Sequence, residues 1–350
     1  MVVGAVLIWH CSCDLNRKLV GANDWFDAIE ILLDKLYPPG RLELQIHRPM
    51  LLNLNNSSPE RAPSFPLRKL ATCDELGFVL RQERLLTADK RVRVSIVRNI
   101  LTNSSYICKL YTKHKVFDKE LSSLLSLNHP SILPPICKLT TLDSNGFIID
   151  YLSSGQVAER YFQDLRSKDK SSSGQEVVAR TVRDFAAAFL DAILFVHWAG
   201  FSHGDLKQPH ILRLNTGQPV ILDFEEAVSL QSDNFHRTFS RQLAPESALR
   251  HTPLQENIAI WAFGTLLASW NIRGSGDIVR VDGSKLSTVM DVPNYLSEDL
   301  RQVVFYCLQS NPMLRMFNTK EQISFLQSLP YWKGIDWGQM RAQWGHNGAQ

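Results

Sequence analysis

Residues 196–227 read VHWAGFSHGDLKQPHILRLNTGQPVILDFEEA and concentrate the side chains best suited to chemistry. Asp205 and Asp223 are carboxylates 18 residues apart, joined by an apolar strand pattern and a turn at Gly217, with Lys207 just after the first. Two carboxylates and a cation in one short segment suit phosphoryl transfer, which is mostly positioning and charge neutralisation. One carboxylate orients the attacking hydroxyl, the cation meets the terminal phosphate, and the second carboxylate holds a divalent metal. Asp205, Lys207 and Asp223 are the candidates for those roles, in that order. Either aspartate alone reads equally well as a turn residue beside a core phenylalanine, so only their joint occurrence carries weight.

The segment resembles the catalytic loop and metal-binding segment of protein kinases, H-R-D-L-x-x-x-N followed by D-F-G, here His203-Gly204-Asp205-Leu206-Lys207 with His210, then Asp223-Phe224. Further matches lie on both sides. Tyr106-Ile107-Cys108-Lys109 resembles the strand motif V-A-I-K, and Phe117-Asp118-Lys119-Glu120, followed by His129-Pro130, resembles the family's C helix and its exit. The stretch GFIIDYL at 146–152 is similar to the strand that enters the adenine-binding hinge. Leu243-Ala244-Pro245-Glu246, Trp261-Ala262-Phe263-Gly264, Cys307-Leu308 with Pro312 and Arg315, and the closing GIDW at 334–337 complete the likeness.

This resemblance implies an α+β, two-lobed fold with a small mainly-β lobe and a larger mainly-α lobe. It implies ATP and Mg²⁺ as cofactors and a protein substrate or regulated partner protein. Asp205 and Lys207 would be catalytic, Lys109 with Glu120 would hold the phosphates, and Ile149, Asp150 and Leu152 would line the hinge. Asp223 and His210 would stand at the metal, and Glu246 with Arg315 would form a buried ion pair.

Several positions depart from the pattern. Thr87, Asp89 and Val92 stand where the phosphate loop needs glycines that let backbone amides approach the phosphates, and Asp89 would add a like charge there. Ile107 replaces a small alanine, His210 an asparagine, Glu225 the glycine of D-F-G, Ala259 an aspartate that braces the catalytic loop, and Gly204 an arginine. Phe239 and Gln242 depart from the pattern before A-P-E. Imidazole is a poor ligand for a hard cation that prefers six oxygens. Three functions remain open at this stage: a divergent Ser/Thr protein kinase with weak activity, a pseudokinase serving as a binding or scaffolding module, and a small-molecule kinase. The H-G-D and D-F-E forms suit the last, whereas A-P-E, W-x-x-G and G-I-D-W argue against it.

The elements that must position these residues are legible in outline. Period-two alternation of Val92, Val94 and Ile96 with Arg91, Arg93 and Ser95 predicts antiparallel strands within 77–111, followed by a helix over 116–127 and a strand at 146–152. From residue 175 a run rich in alanine and spaced large apolar residues predicts a long buried helix closed by Gly200. The polar run at 167–175 reads as a solvated loop, its serines as disorder. Upstream, 24–37 carries an amphipathic stripe and 38–66 a proline-rich connector, so an extension is expected over 1–72, a domain over 73–340 divided near 152, and a tail over 341–350.

A formal net charge of +3 from 38 basic and 35 acidic residues favours neither nucleic acid nor a membrane surface as partner. Six scattered cysteines form no disulfide framework, and His10, Cys11 and Cys13 lack a second pair at metal-ligand spacing. The apolar start, Met1 to Trp9, has no basic flank, and no stretch reaches the length of a membrane span. A cytoplasmic setting is expected.

Overall fold

The computed structural model describes residues 70–168, 171–230, 244, 255–271, 288–311, 314–315 and 320–342. The expected helix at 24–37, the connector, the His10–Cys11–Cys13 cluster, Phe239, Gln242, Leu243, Pro245, Glu246, Pro312 and the tail beyond 342 lie outside the described residues.

The small lobe is a five-stranded antiparallel sheet in the order β1-β2-β3-β5-β4, formed by β1 (Leu80–Ala88), β2 (Val92–Asn99), β3 (Ser105–Tyr111), β4 (Cys137–Thr140) and β5 (Asn145–Asp150). Helix α1 (His114–Ser126) enters between β3 and β4 and buries Phe117, Glu120, Leu121 and Leu124. The alternation expected in β2 is incomplete, because Ser95 is 3% exposed and Val97 is buried as well. Both faces of this strand are covered: Val92 belongs to the main core, Val97 to a second cluster with Cys73, Cys108, Cys137 and Ile148. Residues before β1 join that second layer, with the Cys73 amide donating to the Lys138 carbonyl at 2.8 Å.

Gly146 in β5 has a specific purpose. A Cβ there would lie 2.2 Å from the Lys109 carbonyl oxygen, so any side chain would push β5 off the strand that carries Lys109.

The large lobe is built from helices α2 (Ala158–Lys168), α3 (Ser172–Trp198), α4 (Gln255–Trp270), α5 (Glu298–Cys307), α6 (Lys320–Ser328) and α7 (Trp337–Ala342). The serine run expected to be disordered instead starts α3, with the Ser171 side chain accepting from the Gly174 amide at 3.1 Å. A serine at the N-cap satisfies an amide that the helix leaves open, which polarity alone does not reveal. α3 ends before Gly200, as its sequence predicts, and buries Phe185, Phe189, Leu190 and Ile193. Phe162 of α2, Phe185 and Phe189 of α3 and Trp270 of α4 interlock, with ring centroids 5.2 to 5.9 Å apart among contacting pairs. Such tilted and edge-on contacts suit the aromatic quadrupole and fix the relative placement of three helices. Arg315 is fully buried, donating from Nε to the Gln309 carbonyl at 2.8 Å and lying 4.9 Å from the Trp261 ring centre.

Among the described residues, short strands complete the lobe, one just before α2 and four between α3 and α4. β6 (Gln156–Val157), β8 (Ile211–Arg213) and β9 (Pro219–Ile221) form one sheet, and β7 (Phe201–Ser202) pairs with β10 (Val228–Ser229). The two-lobed α+β fold expected from the sequence is thus the fold of the described chain. No helix among the described residues is long and apolar enough to cross a membrane.

Candidate functional site

Lys109 and Tyr111 share one face of β3, two residues apart, and both meet Glu120 of α1. The Lys109 ammonium donates to Glu120 Oε1 at 2.7 Å and Oε2 at 3.0 Å, and to Asp223 Oδ1 at 2.9 Å. Tyr111 Oη donates to Glu120 Oε2, and the Phe224 amide donates to Glu120 Oε1 at 3.2 Å. One carboxylate therefore joins β3, α1 and the Asp223-Phe224 segment. Burial works against the charged form of Lys109, but Glu120 and Asp223 outweigh it and raise its pKa. Burial likewise opposes ionised Asp223, yet the Lys109 ammonium holds it down at about 2. Asp223 adopts a left-handed backbone, φ 65°, a conformation aspartate tolerates and one that clusters at functional sites.

The catalytic-loop residues follow β7. Asp205 is buried, and its Oδ2 accepts from Lys207 Nζ at 2.5 Å. Asp205 Oδ1 is also buried and accepts no hydrogen bond among the described residues. A buried acceptor without a donor is costly. Gly204 has φ 80°, and a Cβ there would meet the Glu226 carbonyl oxygen at 2.3 Å. The position that the family pattern gives to arginine thus has no room for any side chain.

His203 is held as one tautomer: Nε2 lies 3.0 Å from the Leu222 carbonyl, to which it must donate, while Nδ1 accepts from the Asp205 amide at 3.3 Å. A second proton on Nδ1 would face that amide hydrogen. Burial pulls the His203 pKa down to about 4. Because the unfolded chain takes up this proton near pH 6.5 and the native chain does not, stability is full above pH 6.5 and declines toward pH 4. The expected loss from this group is on the order of 3 kcal/mol at most. Melting temperatures measured from pH 7 to pH 4 should fall more steeply for the parent than for His203→Phe; parallel curves would remove His203 as the cause.

Ala259 leaves a small apolar void beneath His203 and Leu206 where a bracing aspartate is expected. Farther along α4 Gln208 ties this loop to the helix, its Oε1 accepting from Trp270 Nε1 at 2.8 Å and its Nε2 meeting Ser269 Oγ. The sequence reading missed this residue. Its signal was slight, a glutamine between Lys207 and Pro209, and its partners lie about sixty positions away.

The turn between β1 and β2 replaces the expected glycine loop. Asp89 Oδ1 accepts from the Arg91 amide at 2.6 Å and the Val92 amide at 2.7 Å, and these two bonds lower its pKa. Its carboxylate thus occupies backbone donors of the kind that a phosphate would use. Arg91, also missed, reaches across to Glu225 at 3.3 Å and Glu226 at 3.2 Å. Thr87 pairs with Val94 in the sheet and Val92 is core, so neither position is a spare loop residue.

On the hinge side, Ile107 stands opposite Ile149 in the β3–β5 register, and Asp150 opposite Tyr106. Ile149 is half-buried against the main core, Asp150 is exposed at the strand end, and Leu152 follows half-buried. Ile107 and Ile149 lie on the same face of the sheet as Lys109, whereas Tyr106 and Asp150 lie on the opposite one.

His210 is brought to the charged cluster by a short 3₁₀ turn over Gln208–His210. Its Nδ1 lies 3.0 Å from the Asp205 carbonyl and its Nε2 3.3 Å from Asp223 Oδ2. Burial lowers its pKa. Lys109 offers an ATP triphosphate a fixed cation, so the nucleotide fits the residues present in that respect. The donors at the metal position are one carboxylate oxygen and one imidazole nitrogen, which do not suit Mg²⁺.

The family model described as "Protein kinase domain" matches residues 90–324. The RAC family serine/threonine-protein kinase homolog of Dictyostelium discoideum is 26% identical over 267 residues, covering 71% of this chain and 56% of that protein. CBL-interacting serine/threonine-protein kinase 12 of Arabidopsis thaliana is 25% identical over 253 residues, covering 66% of this chain and 49% of that protein. The 3-phosphoinositide-dependent protein kinase 1 of Arabidopsis thaliana is 24% identical over 237 residues, with coverages of 62% and 46%. The chain thus spans about half the length of these curated relatives.

Proposed function

The chain belongs to the protein kinase family, and from that premise we propose that its cleft binds ATP weakly and passes the terminal phosphoryl group, slowly, to serine or threonine hydroxyls of a protein. The observation that carries this reading is the Lys109 ammonium bonded at once to Glu120 and Asp223. Protein kinases need the strand lysine, the helix glutamate and the metal-segment aspartate in place together, and all three are in contact here. Lys109 would meet the α- and β-phosphates, with Glu120 setting its position. Ile149, Asp150 and Leu152 would border the adenine. Asp205 would orient the acceptor hydroxyl through Oδ1, and Lys207 would offset charge on the transferred group.

A second reading, a pseudokinase that binds partners without transfer, is favoured by the β1–β2 turn. Asp89 competes for the phosphate cradle, and Arg91 ties the turn to Glu225 and Glu226. The Arg91 side chain is 49% exposed, so its ion pairs contribute about 0 to 1 kcal/mol and the Asp89 bonds dominate. Asp89→Gly is therefore expected to tighten ATP binding by about tenfold, whereas Arg91→Ala changes it only a few-fold. Calorimetric titration of the parent and both variants at one ionic strength checks this. Tight binding by the parent would mean that the turn does not obstruct phosphate, and no binding by any of them would favour the partner-binding module.

A further inference from the structure

We infer that Cys73 and Cys137 form a redox-responsive thiol pair, which a hydroperoxide converts to a disulfide that fastens the segment before β1 to β4. The sequence places cysteines at 73, 108 and 137 with no regular spacing, yet the fold gathers all three into one apolar layer with Val97 and Ile148. The sheet register decides which of them can pair. Cys108 of β3 and Cys137 of β4 stand opposite the same residue of β5, Ile148. Two ladder spacings put their backbones about 9.5 Å apart, beyond the roughly 7 Å that a disulfide spans between Cα atoms. Cys73 comes instead from the segment before β1, which bridges to Lys138 at Thr72. Its amide donates to the carbonyl of Lys138, the neighbour of Cys137, at 2.8 Å, and its sulfur meets the Cys137 thiol in a hydrogen bond.

Access to the pair comes through the segment that carries Cys73. Cys73 is 3% exposed and Cys137 fully buried, so reaction waits on a local opening. Two backbone hydrogen bonds hold the segment to β4, from the Cys73 amide to the Lys138 carbonyl and from the Lys138 amide to the Ala71 carbonyl, and Leu76 just beyond is exposed. It can therefore open without the sheet unfolding. Cys73 is the nucleophile because it sits on the part that opens, and accepting the Cys137 hydrogen bond also lowers its pKa. The same contact and burial raise the pKa of Cys137, which stays a thiol. The Cys73 thiolate attacks one peroxide oxygen and breaks the O–O bond, giving a sulfenic acid and an alkoxide or hydroxide that takes up the proton Cys73 released. The Cys137 sulfur then attacks the Cys73 sulfur, and the sulfenic oxygen leaves as water with the Cys137 proton as the S–S bond forms. The two thiols lose two electrons and the peroxide gains them. A reducing compartment keeps the pair as the dithiol, so the bridge would report an oxidant. The loop it closes runs from 73 to 137 and contains β1 to β3 and α1, and with them Lys109 and Glu120.

The test treats the reduced full-length protein with hydrogen peroxide, blocks the remaining thiols and maps unreduced peptides by mass spectrometry. A peptide linked through Cys73 and Cys137 is expected, and dithiothreitol should release it. The oxidised protein should melt about 5 °C or more above the reduced form, because a bridge closing so long a loop restrains the unfolded chain. Cys137→Ser should form no bridge and should leave Cys73 as a sulfenic acid that dimedone captures. If that variant does not fold, the map of the parent decides alone. Absence of the linked peptide, or Cys73 joined to Cys108 or to a second chain, would overturn the pair. A linked peptide with no rise in melting temperature would overturn the fastening.

Discussion

Asp205→Asn is expected to lower phosphotransfer by about 10² to 10⁴-fold while leaving the fold intact, the range typical of removing a positioned general base. Asparagine keeps the shape of aspartate and can still present its amide oxygen to Lys207, so the loop keeps its main local contact. What it loses is the anionic acceptor at Oδ1, the buried oxygen that accepts no hydrogen bond among the described residues. A hydroxyl held there would keep its orientation only in part and would lose its proton acceptor. Transfer of labelled phosphate from ATP to a generic protein substrate measures the effect, with circular dichroism and melting temperature as controls for folding. A purified variant as active as the parent would remove Asp205 from the mechanism. A parent without measurable transfer, yet able to bind ATP, would favour the pseudokinase reading.

The parts of this site that the sequence made legible are those where chemistry restricts residue type. Asp205, Lys207, Asp223, Lys109 and Glu120 are each charged residues in apolar or turn surroundings, and a buried charge needs a partner, so their positions carry information. The elements beneath them were legible for a related reason. Alternation in β2 and the long apolar run of α3 are periodic signals that span many residues. The residues missed act through geometry that a linear reading does not contain. Tyr111 matters because it shares a strand face with Lys109 and because α1 turns Glu120 toward both. Arg91 reads as an ordinary charge in a polar turn until the turn is placed over Glu225 and Glu226. Gln208 ties the loop to α4 through partners about sixty positions away in the chain. The serines before α3 show the same limit, since one polar composition serves a disordered loop and a capped helix start equally well.

Glu120→Ala is expected to destabilise the domain by about 3 to 5 kcal/mol and to abolish measurable ATP binding. The glutamate side chain is 2% exposed and the lysine 9%, so solvent does little to screen the pair. Removing the carboxylate leaves the Lys109 ammonium with Asp223 alone, and deprives the Tyr111 hydroxyl and the Phe224 amide of a shared acceptor. Those losses fall on three elements at once, which is why the effect should exceed that of a surface ion pair. Stability and binding can then be separated with a double variant. Lys109→Met with Glu120→Leu replaces the buried pair by apolar side chains of similar size, a change that often restores stability because no charge is left stranded. The double variant should melt near the parent and still fail to bind ATP, since the cation for the phosphates is gone. Chemical denaturation and calorimetric titration of all three proteins test both halves. If Glu120→Ala unfolds at the same denaturant concentration as the parent, the cluster holds little of the domain's stability; if the double variant binds ATP as the parent does, Lys109 is not the phosphate cation.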